Sequence, residues 1–344
     1  MMEQQNIFDL ISVDGLSLTP KYIQLANSIH DAVVTGKIKK NRVLPSLHEL
    51  TYHLEISKET ANRGYKYLRE MGVLSSVPGK GHYVTATGLQ QPRKIFLLLD
   101  KLSAGKKLFY DVFSEALGEN VSIDFYIYND DFALFKKLLT SRKEGYTHYV
   151  ILPNFNEGGS QAHELLNIIP KDKLILLDKI VEGVNGTYGA ILENFKRNIY
   201  KAMESVLDNL SKYDTIRIIA TPNSFISPDI IKGFKLFCQQ YAFERNVVTD
   251  VNEIEINKGE VFVCLNDEDL VEIIEKIRGL HLEVGTDVGI ISYNETPLKK
   301  YILNGITTVS TDYEQMGLIA ANMIMKNKME KVELSCRLKL RCSL

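Results

Sequence analysis

The sequence predicts an α/β main domain, built as two Rossmann-like lobes with parallel sheets, behind a small N-terminal α+β winged helix-turn-helix domain. Its 344 residues exceed one typical domain. Capped helical patterns and a hairpin pattern precede residue 86, and strand-like runs alternate with amphipathic helical patterns from residue 94 onward. The predicted boundaries are a leading segment at 1–19, the winged helix at 20–86, a linker at 87–93 and the two-lobed domain at 94–344.

Charge is unevenly distributed along the chain. The formal net charge is -2, but residues 20–86 carry ten Lys or Arg against five Asp or Glu, which is a net +5. Residues 1–19 carry -3 and the remainder carries -4. A basic segment in a near-neutral chain favours nucleic-acid contact by that segment, and a basic face that is merely solvated is the alternative.

Cysteine spacing and the N-terminal residues indicate a reducing cytoplasm. Cys238, Cys264, Cys336 and Cys342 lack Cys-x-x-Cys spacing, and the first residues have neither the basic nor the apolar region of a signal peptide. We therefore expect buried thiols. No apolar run approaches the ~20 residues of a membrane span, so no membrane partner is expected.

The first domain begins with three predicted helices. A stripe of helical period runs through residues 22–33, Ser46 and Glu49 form a capping box for a short second helix, and Ser57 caps a third. The third helix turns a polar, cationic side outward. Two short helices joined by a tight turn indicate a helix-turn-helix.

A predicted β-hairpin follows, with Pro78-Gly79-Lys80-Gly81 at its tip. A hairpin directly behind a helix-turn-helix is typical of the wing of a winged helix. Its glycines allow close approach to a phosphate, and Lys80 supplies charge. A nucleotide-binding loop is the alternative, but GxxxxGK[ST] is absent and no helix follows.

This segment resembles the GntR-family DNA-binding domain over about 65 residues. The matching positions are Tyr22-x-Gln24-Leu25, Gly36, Leu44-Pro45-Ser46, Ile56-Ser57-Lys58-x-Thr60, Leu68, Gly72 and Gly79-Lys80-Gly81. The resemblance implies DNA contacts at Ser46, His48, Lys58, Thr60, Asn62, Arg63, Lys80 and Gly81. The family usually has Arg at the position of His48, and Arg more often than Lys at Lys58. These departures remove bidentate guanidinium forks but keep a phosphate anchor at Lys58.

Strand-like apolar runs recur through the main domain and predict parallel sheets covered by helices. They are residues 95–99, 123–127, 149–152, 174–177, 216–219, 261–264 and 288–291. The last stretch alternates apolar and polar residues from Val332 to Cys342. This alternation predicts one antiparallel closing strand that places Cys336 and Cys342 in the core.

Catalytic and metal motifs are absent from the sequence, so neither a catalytic residue nor a metal or cofactor is expected. His148, His163 and His281 lack metal spacing and are expected at the surface or at helix ends. Asp178 and Asp267 follow strand ends, where α/β folds hold ligands. The sequence therefore favours a binding cleft, and an enzyme acting on a sugar is the alternative.

Short sequence segments of the main domain occur in the same order as in the sugar-binding domain of LacI-type regulators and periplasmic sugar-binding proteins, which the main domain therefore resembles. The matching segments are Leu177-Asp178-Lys179, Glu193-Asn194, Gly233-Phe234, Asn266-Asp267, Ser292-Tyr293-Asn294-Glu295, Thr307-Thr308-Val309 with Met316-Gly317, and Arg341-Cys342-Ser343. The implied fold is periplasmic-binding-protein-like, with a small sugar in the inter-lobe cleft. A GntR-like segment joined to a LacI-like sugar-binding domain resembles the architecture of arabinose repressors.

Sugar recognition requires polar groups for hydroxyls and an aromatic face for C–H surface. With no Trp in the chain, the aromatic candidates are Phe109 and Tyr110, for which packing in a helix core is the alternative. Ile230 replaces the family's usual arginine, which favours a pentose or deoxyhexose over an acidic ligand. The polar candidates are Asn154, Asp178, Asn223, Asn266 and Asn294.

These expectations combine into a cytoplasmic transcription repressor. A homodimer would bind a pseudo-palindromic operator in double-stranded DNA, and a sugar in the cleft would relieve repression by shifting the two winged helices. A sugar-binding protein that does not bind DNA is the remaining alternative, but it leaves the capped helices and the wing unexplained.

Overall fold

The computed structural model describes residues 6–77, 81–85, 93–118, 121–142, 145–155, 157–221 and 227–344. The chain divides into two compact units. The first comprises Met1–Lys101, Leu117–Ile175 and Val181–Tyr188, and the second comprises Leu102–Ala116, Leu176–Ile180 and Gly189–Leu344. None of the helices formed by the described residues is long and apolar enough to cross a bilayer.

The first unit begins with a winged helix-turn-helix, as the sequence predicts. Ser46 and Glu49 form the predicted capping box, and Ser57 caps the third helix. In the hairpin, Leu74 pairs with Val84 and Val77 with Gly81, antiparallel. The elements are α1 Lys21–Val34, α2 Leu47–Leu54, α3 Lys58–Glu70, β1 Leu74–Val77 and β2 Gly81–Val84.

Residues 6–19 pack onto the winged helix. A 3-10 turn at Ile7–Asp9 places the Phe8 ring against His53 of α2, with the ring centroids 3.9 Å apart. Ile11 is buried in the same apolar core as Leu25 and Ile29 of α1. The leading segment therefore contributes to the folded module.

The remaining elements form the α/β part of the chain. They are β3 Arg93–Leu99, α4 Ala104–Leu117, β4 Val121–Ile127, α5 Phe132–Thr140, β5 His148–Ile151, α6 Ala162–Asn167, β6 Leu174–Asp178, β7 Gly189–Glu193, α7 Phe195–Glu204, α8 Leu207–Leu210, β8 Thr215–Ile219, α9 Pro228–Gln240, β9 Glu244–Val248, β10 Glu260–Cys264, α10 Asp267–Gly279, β11 Val288–Tyr293, β12 Thr307–Thr311, α11 Tyr313–Lys326, β13 Lys331–Leu334 and β14 Cys336–Lys339. The two larger sheets have strand orders β13-β7-β6-β5-β3-β4 and β14-β12-β11-β10-β8-β9. Strands β4, β3 and β5 pair in parallel, as do β9, β8, β10, β11 and β12.

All seven strands predicted from apolar runs are present, which confirms the α/β fold class. Three strands, β7, β9 and β12, were not predicted. The sequences of β9 and β12 explain why these two were missed: β9 reads Glu-Arg-Asn-Val-Val with an exposed polar half, and β12 is mostly threonine. Neither presents the continuous Val/Ile/Leu run that identifies a buried parallel strand.

The single closing strand predicted for the C-terminal stretch is wrong. Within the second unit, Lys331–Leu334 pairs in parallel with β7, whereas Cys336–Lys339 pairs antiparallel with β12. The chain changes partner at Ser335. Alternation of side chains persists through this change because both segments are extended, so the sequence pattern does not distinguish one strand from two.

Two predictions for single side chains, those for Cys342 and His148, are also wrong. Cys342 is exposed, whereas Cys336 is half-buried against the apolar core of the second unit, and Cys238 and Cys264 are buried thiols as expected. His148 is buried in β5, where its Nδ1 lies 3.1 Å from the Thr147 hydroxyl. An isolated histidine carries no sequence signal of the strand face on which it lies.

Candidate nucleic-acid interface and effector site

Helix α3 separates a buried face from an exposed cationic face. Lys58, Asn62 and Arg63 are exposed, while Thr60 is half-buried with its hydroxyl 2.9 Å from that of Ser57. Gly64 lies on the buried face, where an added Cβ would be 2.8 Å from Leu25 Cδ2. The close crossing of α1 and α3 therefore presents the predicted DNA-contact residues on the outer side.

Arg63 is held in place by an aromatic ring. Its guanidinium carbon lies 4.2 Å from the ring centroid of Tyr22, within the range of a cation–π interaction. Tyr22 is half-buried, and its ring faces α3. A fixed guanidinium loses less conformational entropy on binding, which suits Arg63 to contact DNA.

Tyr65 joins α3 to the turn before α2. Its hydroxyl donates to the carbonyl of Pro45 at 2.6 Å, and burial raises its pKa above the ordinary tyrosine value. Its ring meets the ring of His82 edge-on, with the centroids 4.6 Å apart. These contacts fix the helix-turn-helix relative to β2, and no local pattern in the sequence indicates them.

The other predicted DNA contacts are distributed over the caps and the wing. Ser46 and His48 are exposed at the start of α2, where Ser46 caps the helix by accepting from the Glu49 N–H. Gly81 is exposed at the start of β2 with φ +83°, a conformation that favours glycine. Lys80 lies outside the described residues.

In the first unit, the predicted effector residue Asn154 lies near the carboxyl ends of β3 and β5. Its amide Nδ2 donates to Asp100 at 3.3 Å, and Asp100 is buried directly after β3. The hydroxyl of Tyr128 accepts from the Asn154 backbone N–H at 2.7 Å and lies 2.6 Å from its carbonyl oxygen. The Asn154 side-chain amide is therefore held at the strand ends, where α/β folds bind ligands.

In the second unit, Thr221, Asn266 and Asp269 cluster after β8 and β10. Asn266 caps α10 and its Nδ2 lies 2.8 Å from Asp269, whose carboxylate oxygens are each 3.2 Å from the Thr221 hydroxyl. Burial raises the pKa of Asp269. Asn294 follows β11 with φ +64° and an exposed side chain. The structure thus brings predicted residues Asn266 and Asn294 to the carboxyl ends of neighbouring strands.

A buried lysine stabilises this edge of the second unit, and sequence reasoning did not identify it. The ammonium of Lys299 donates to the carbonyls of Tyr293 and Asn294 at 3.0 and 2.7 Å and pairs with Asp267 at 2.6 Å. Lys299 therefore holds the backbone of the predicted ligand residue Asn294. Its position in Pro297–Lys300, beside an exposed lysine, carries no distinguishing sequence signal.

Phe109 and Tyr110 differ in their surroundings. Phe109 is 1% exposed and stacks on Phe113, with the centroids 5.4 Å apart, and Gly317 of α11 packs against its carbonyl. This position favours the packing alternative for Phe109. Tyr110 is half-buried, and burial together with Asp111 raises its pKa. Asn223, the remaining polar candidate apart from Asp178, lies outside the described residues.

Asp178 belongs to a buried pair of carboxylates in the second unit. It ends β6 with φ +68° and is buried, as is Glu193 at the end of β7. The Thr311 hydroxyl lies 2.8 and 2.7 Å from the two carboxylate oxygens of Glu193. Burial and the neighbouring Asp178 raise the pKa of Glu193. Protonation of Glu193 reduces the charge that is buried beside Asp178.

Three of the LacI-like segments meet in one ionic cluster. Glu295 accepts from Arg341 at both carboxylate oxygens, at 3.0 and 2.6 Å, and from the Thr308 hydroxyl. Ser343 accepts from the Thr307 N–H at 2.7 Å. The spaced motifs are therefore one structural unit that joins β11, β12 and the C terminus. By contrast, Ile230 is buried in the apolar core around Phe234.

Side chains suited to metal binding do not gather in the part of the chain that the structure describes: no group of three or more His, Cys, Asp or Glu residues could hold a metal ion there.

Comparison with known proteins agrees with this fold. Residues 215–344 match the family model described as a periplasmic binding protein-like domain. Among solved structures, the trehalose repressor from Escherichia coli covers 72% of this chain and 99% of its own, with a TM-score of 0.57 and 15% identity. A complex of the transcriptional regulator CelR with cellobiose covers 88% of this chain and 100% of its own, with a TM-score of 0.57 and 13% identity. The main part of the chain is therefore a periplasmic-binding-protein-like pair of α/β lobes, as in LacI-type regulators.

Curated relatives match shorter stretches. The HTH-type transcriptional repressor YtrA of Bacillus subtilis is 29% identical over 76 residues, which are 22% of this chain and 58% of the relative. The arabinose metabolism transcriptional repressor of Geobacillus stearothermophilus is 29% identical over 66 residues, which are 19% of this chain and 18% of the relative. The chain thus spans less than two thirds of these relatives. The GntR-type helix-turn-helix predicted from the sequence fits the match to YtrA.

Proposed function

We propose that the chain is a sequence-specific DNA-binding transcription repressor that acts in the cytoplasm and is controlled by a small neutral sugar. The observation that carries this proposal is the exposed cationic face of α3, on a capped helix-turn-helix joined to a periplasmic-binding-protein-like fold. The relatives named as repressors, and the regulator solved with cellobiose, support it. The proposed role of the site residues is binding, which fits relatives that are named as regulators.

Double-stranded DNA is the proposed macromolecular partner. Lys58 and Arg63 would contact phosphates and base edges from α3, with Ser46 and His48 at the start of α2 and Lys80 and Gly81 on the wing. Most affinity in such interfaces comes from phosphate contacts and depends strongly on salt, whereas sequence discrimination comes from base edges. Asn62 and Arg63 are the residues we expect to read bases, because their side chains can form paired hydrogen bonds.

The proposed oligomer is a homodimer that binds a pseudo-palindromic operator. The second unit exposes large side chains at two adjacent 3-10 turns, Pro297–Lys300 and Ile302–Asn304: Leu298 in the first turn is 73% exposed, and Tyr301 between the two turns is 74% exposed. Large exposed apolar groups close together favour a protein interface. A dimer would place two recognition helices about one DNA turn apart.

The proposed effector is a pentose or deoxyhexose, bound at the strand-end residues that include Asn266 and Asn294. The exposed amide of Asn294 can both donate to and accept from sugar hydroxyls. Ile230 supplies no charge there, because it lies in the apolar core. We further propose that sugar binding relieves repression, which requires unequal sugar affinity in the DNA-competent and DNA-incompetent states.

Lys58→Ala in the full chain is expected to weaken DNA binding uniformly across sequences. Loss of one phosphate contact should reduce the slope of log affinity against log salt by about 1. Gel shifts from 50 to 200 mM salt on a random-sequence duplex measure it. Lys232→Ala, an exposed lysine of α9 paired with Asp229, is the control and should leave the slope unchanged. If wild type shows no salt-sensitive DNA binding, the proposed function is wrong.

Asn294→Gly is expected to abolish stabilisation by the sugar effector. A ligand at 100 times its Kd stabilises a protein by about 2.7 kcal/mol, so thermal unfolding with a panel of neutral sugars should identify one that protects wild type. Glycine tolerates the positive φ, so the variant loses the amide without backbone strain. The control is Asn327→Gly at an exposed position with φ +50°. Protection that survives Asn294→Gly would exclude this residue from the site.

A further inference from the structure

Residues 14–19, here called the strap, attach the winged helix to the edge strand β4 of the first unit. The Leu18 N–H donates to the Phe125 carbonyl at 2.7 Å. The Thr19 hydroxyl donates to the Ile123 carbonyl at 2.9 Å and accepts from the Phe125 N–H at 3.1 Å. Because β4 is the end strand of its sheet, the strap occupies backbone groups that an edge strand would otherwise offer to other chains.

Helix α1 adds side-chain contacts beside the strap. Asn27 Nδ2 donates to the Ser122 hydroxyl at 2.7 Å. Lys94 of β3 lies 3.4 Å from Asp31 of α1 and 3.7 Å from Asp124 of β4. The winged helix is therefore attached to β3 and β4 through a backbone hydrogen bond from Leu18, the Thr19 hydroxyl, an amide contact and an ion cluster.

Gln24 joins the strap to α1 inside the module. Its Nε2 donates to the Thr19 carbonyl at 2.7 Å, and its Oε1 accepts from the Asp14 N–H at 2.7 Å. Asp14 in turn accepts from the Tyr126 hydroxyl of β4 at 3.0 Å. A displacement of β4 would therefore be transmitted through the strap to α1, and from α1 to α3, which packs against it.

The attachment is polar and incompletely packed. A cavity of about 600 Å³ lies within it, lined by polar residues that include Asn27, Lys94, Asp124 and Tyr126. Contacts of this kind release more readily than a dense apolar core, because water can replace their hydrogen bonds. Lys58, Asn62 and Arg63 take no part in them and remain exposed. The attached winged helix thus presents its predicted DNA face.

We propose that the strap is a positioning element that holds each winged helix in one orientation on the β3–β4 edge and thereby raises affinity for duplexes with two half-sites. Two modules held in fixed orientations bind a two-half-site duplex with a smaller loss of conformational entropy than two modules free to turn. A single half-site requires no fixed relation between modules, so the strap should not affect its binding. This inference rests on the proposed DNA-binding function.

The first test measures attachment without DNA. In the full chain, Thr19→Val removes the strap hydroxyl at nearly constant volume, and Asn27→Ala removes the amide that contacts Ser122. Hydrogen exchange of the Leu18 amide, which donates to the Phe125 carbonyl of β4, should accelerate at least tenfold. Thr51→Val, which removes a hydroxyl that donates to the Leu47 carbonyl of its own helix, is the matched control and should leave this amide unchanged. If circular dichroism shows misfolding of the double variant, Asn27→Ala alone replaces it. Unchanged exchange in a folded variant would overturn the proposed attachment.

The second test measures its consequence on DNA. The probes are a duplex enriched by the wild-type full chain from a random pool and a version in which one half-site is scrambled. The strap variant should bind the intact duplex about tenfold more weakly and the scrambled duplex within twofold of wild type. Equal losses on both duplexes, or no loss, would overturn the positioning role. If wild type enriches no duplex, both the proposed DNA-binding function and the positioning role are wrong. The hydrogen-exchange result would still show whether the strap attaches the winged helix to β4.

Discussion

Gly233→Ala is expected to lower the free energy of unfolding by about 3 kcal/mol, because overpacking at this site meets backbone and not only side chains. Helices α7 and α9 cross at Gly233, where an added Cβ would collide with the Lys196 carbonyl and lie 2.5 Å from Ile199 Cγ2. The helices would have to separate, which would loosen the apolar core around Phe234 and Phe237. Chemical denaturation of the full chain measures the effect.

Gly279→Ala is the matched control for this prediction. Gly279 ends α10, and an added Cβ there would meet nothing within 4 Å. Alanine in an open helical position is neutral or stabilises by up to about 1 kcal/mol. If the two variants unfold with the same free energy, the helix crossing does not require glycine at position 233.

Arg341→Met is expected to cost about 3 kcal/mol of stability, because it leaves a largely buried carboxylate without its main partner. The side chains of Arg341 and Glu295 are 16% and 21% exposed. Arg341 also donates to the Ile306 carbonyl at 2.7 Å, so the substitution removes contacts to both β12 and the turn before it. Arg197→Met is the control: Arg197 is 65% exposed and lies 3.4 Å from Glu333, so its loss should cost about 1 kcal/mol or less.

The pH dependence of the stability difference between wild type and Arg341→Met provides an independent check. Burial opposes ionisation of Glu295, but hydrogen bonds from Arg341 and Thr308 outweigh it and lower the pKa of the carboxyl. A carboxyl whose pKa is lower in the folded state stabilises the protein above its unfolded pKa, about 4.3, and loses that contribution as pH falls through the folded value. The gap between wild type and Arg341→Met should therefore be largest near neutrality and shrink below about pH 4. A gap that stays constant into acid would contradict the ion-pair explanation.

Helix starts and buried strands can be predicted from the sequence because the residue patterns that identify them span only a few consecutive positions. The capping box of Ser46 and Glu49 spans three residues, and a buried parallel strand is one continuous apolar run. Residues with no local signal were missed or misplaced. The burial of His148 and Lys299 depends on the surface that packs over them, and their neighbours in sequence do not specify that surface.

The predicted sites follow the same division. The exposed positions of Lys58, Asn62 and Arg63 follow from helical period, so the orientation of the proposed DNA face could be predicted. The contact of Arg63 with Tyr22 could not, since it depends on how closely α1 crosses α3. For the effector candidates, the LacI-like segments identified Asn266 and Asn294, which lie at strand ends in the structure, whereas Phe109 has the same sequence pattern whether it faces a ligand or a helix core.

Local patterns in the sequence are sufficient to predict the winged helix-turn-helix, seven of the strands and the order of motifs in the α/β part, because each is encoded within a few consecutive residues. Contacts between distant groups become visible only in the folded chain. Thr19 pairs with residues more than 100 positions away on β4, and Glu295 meets Arg341 across β12. The C-terminal stretch forms two strands instead of one, because its partners β7 and β12 lie in different sheets. Pairing of this kind depends on the geometry of a partner that the local sequence does not contain.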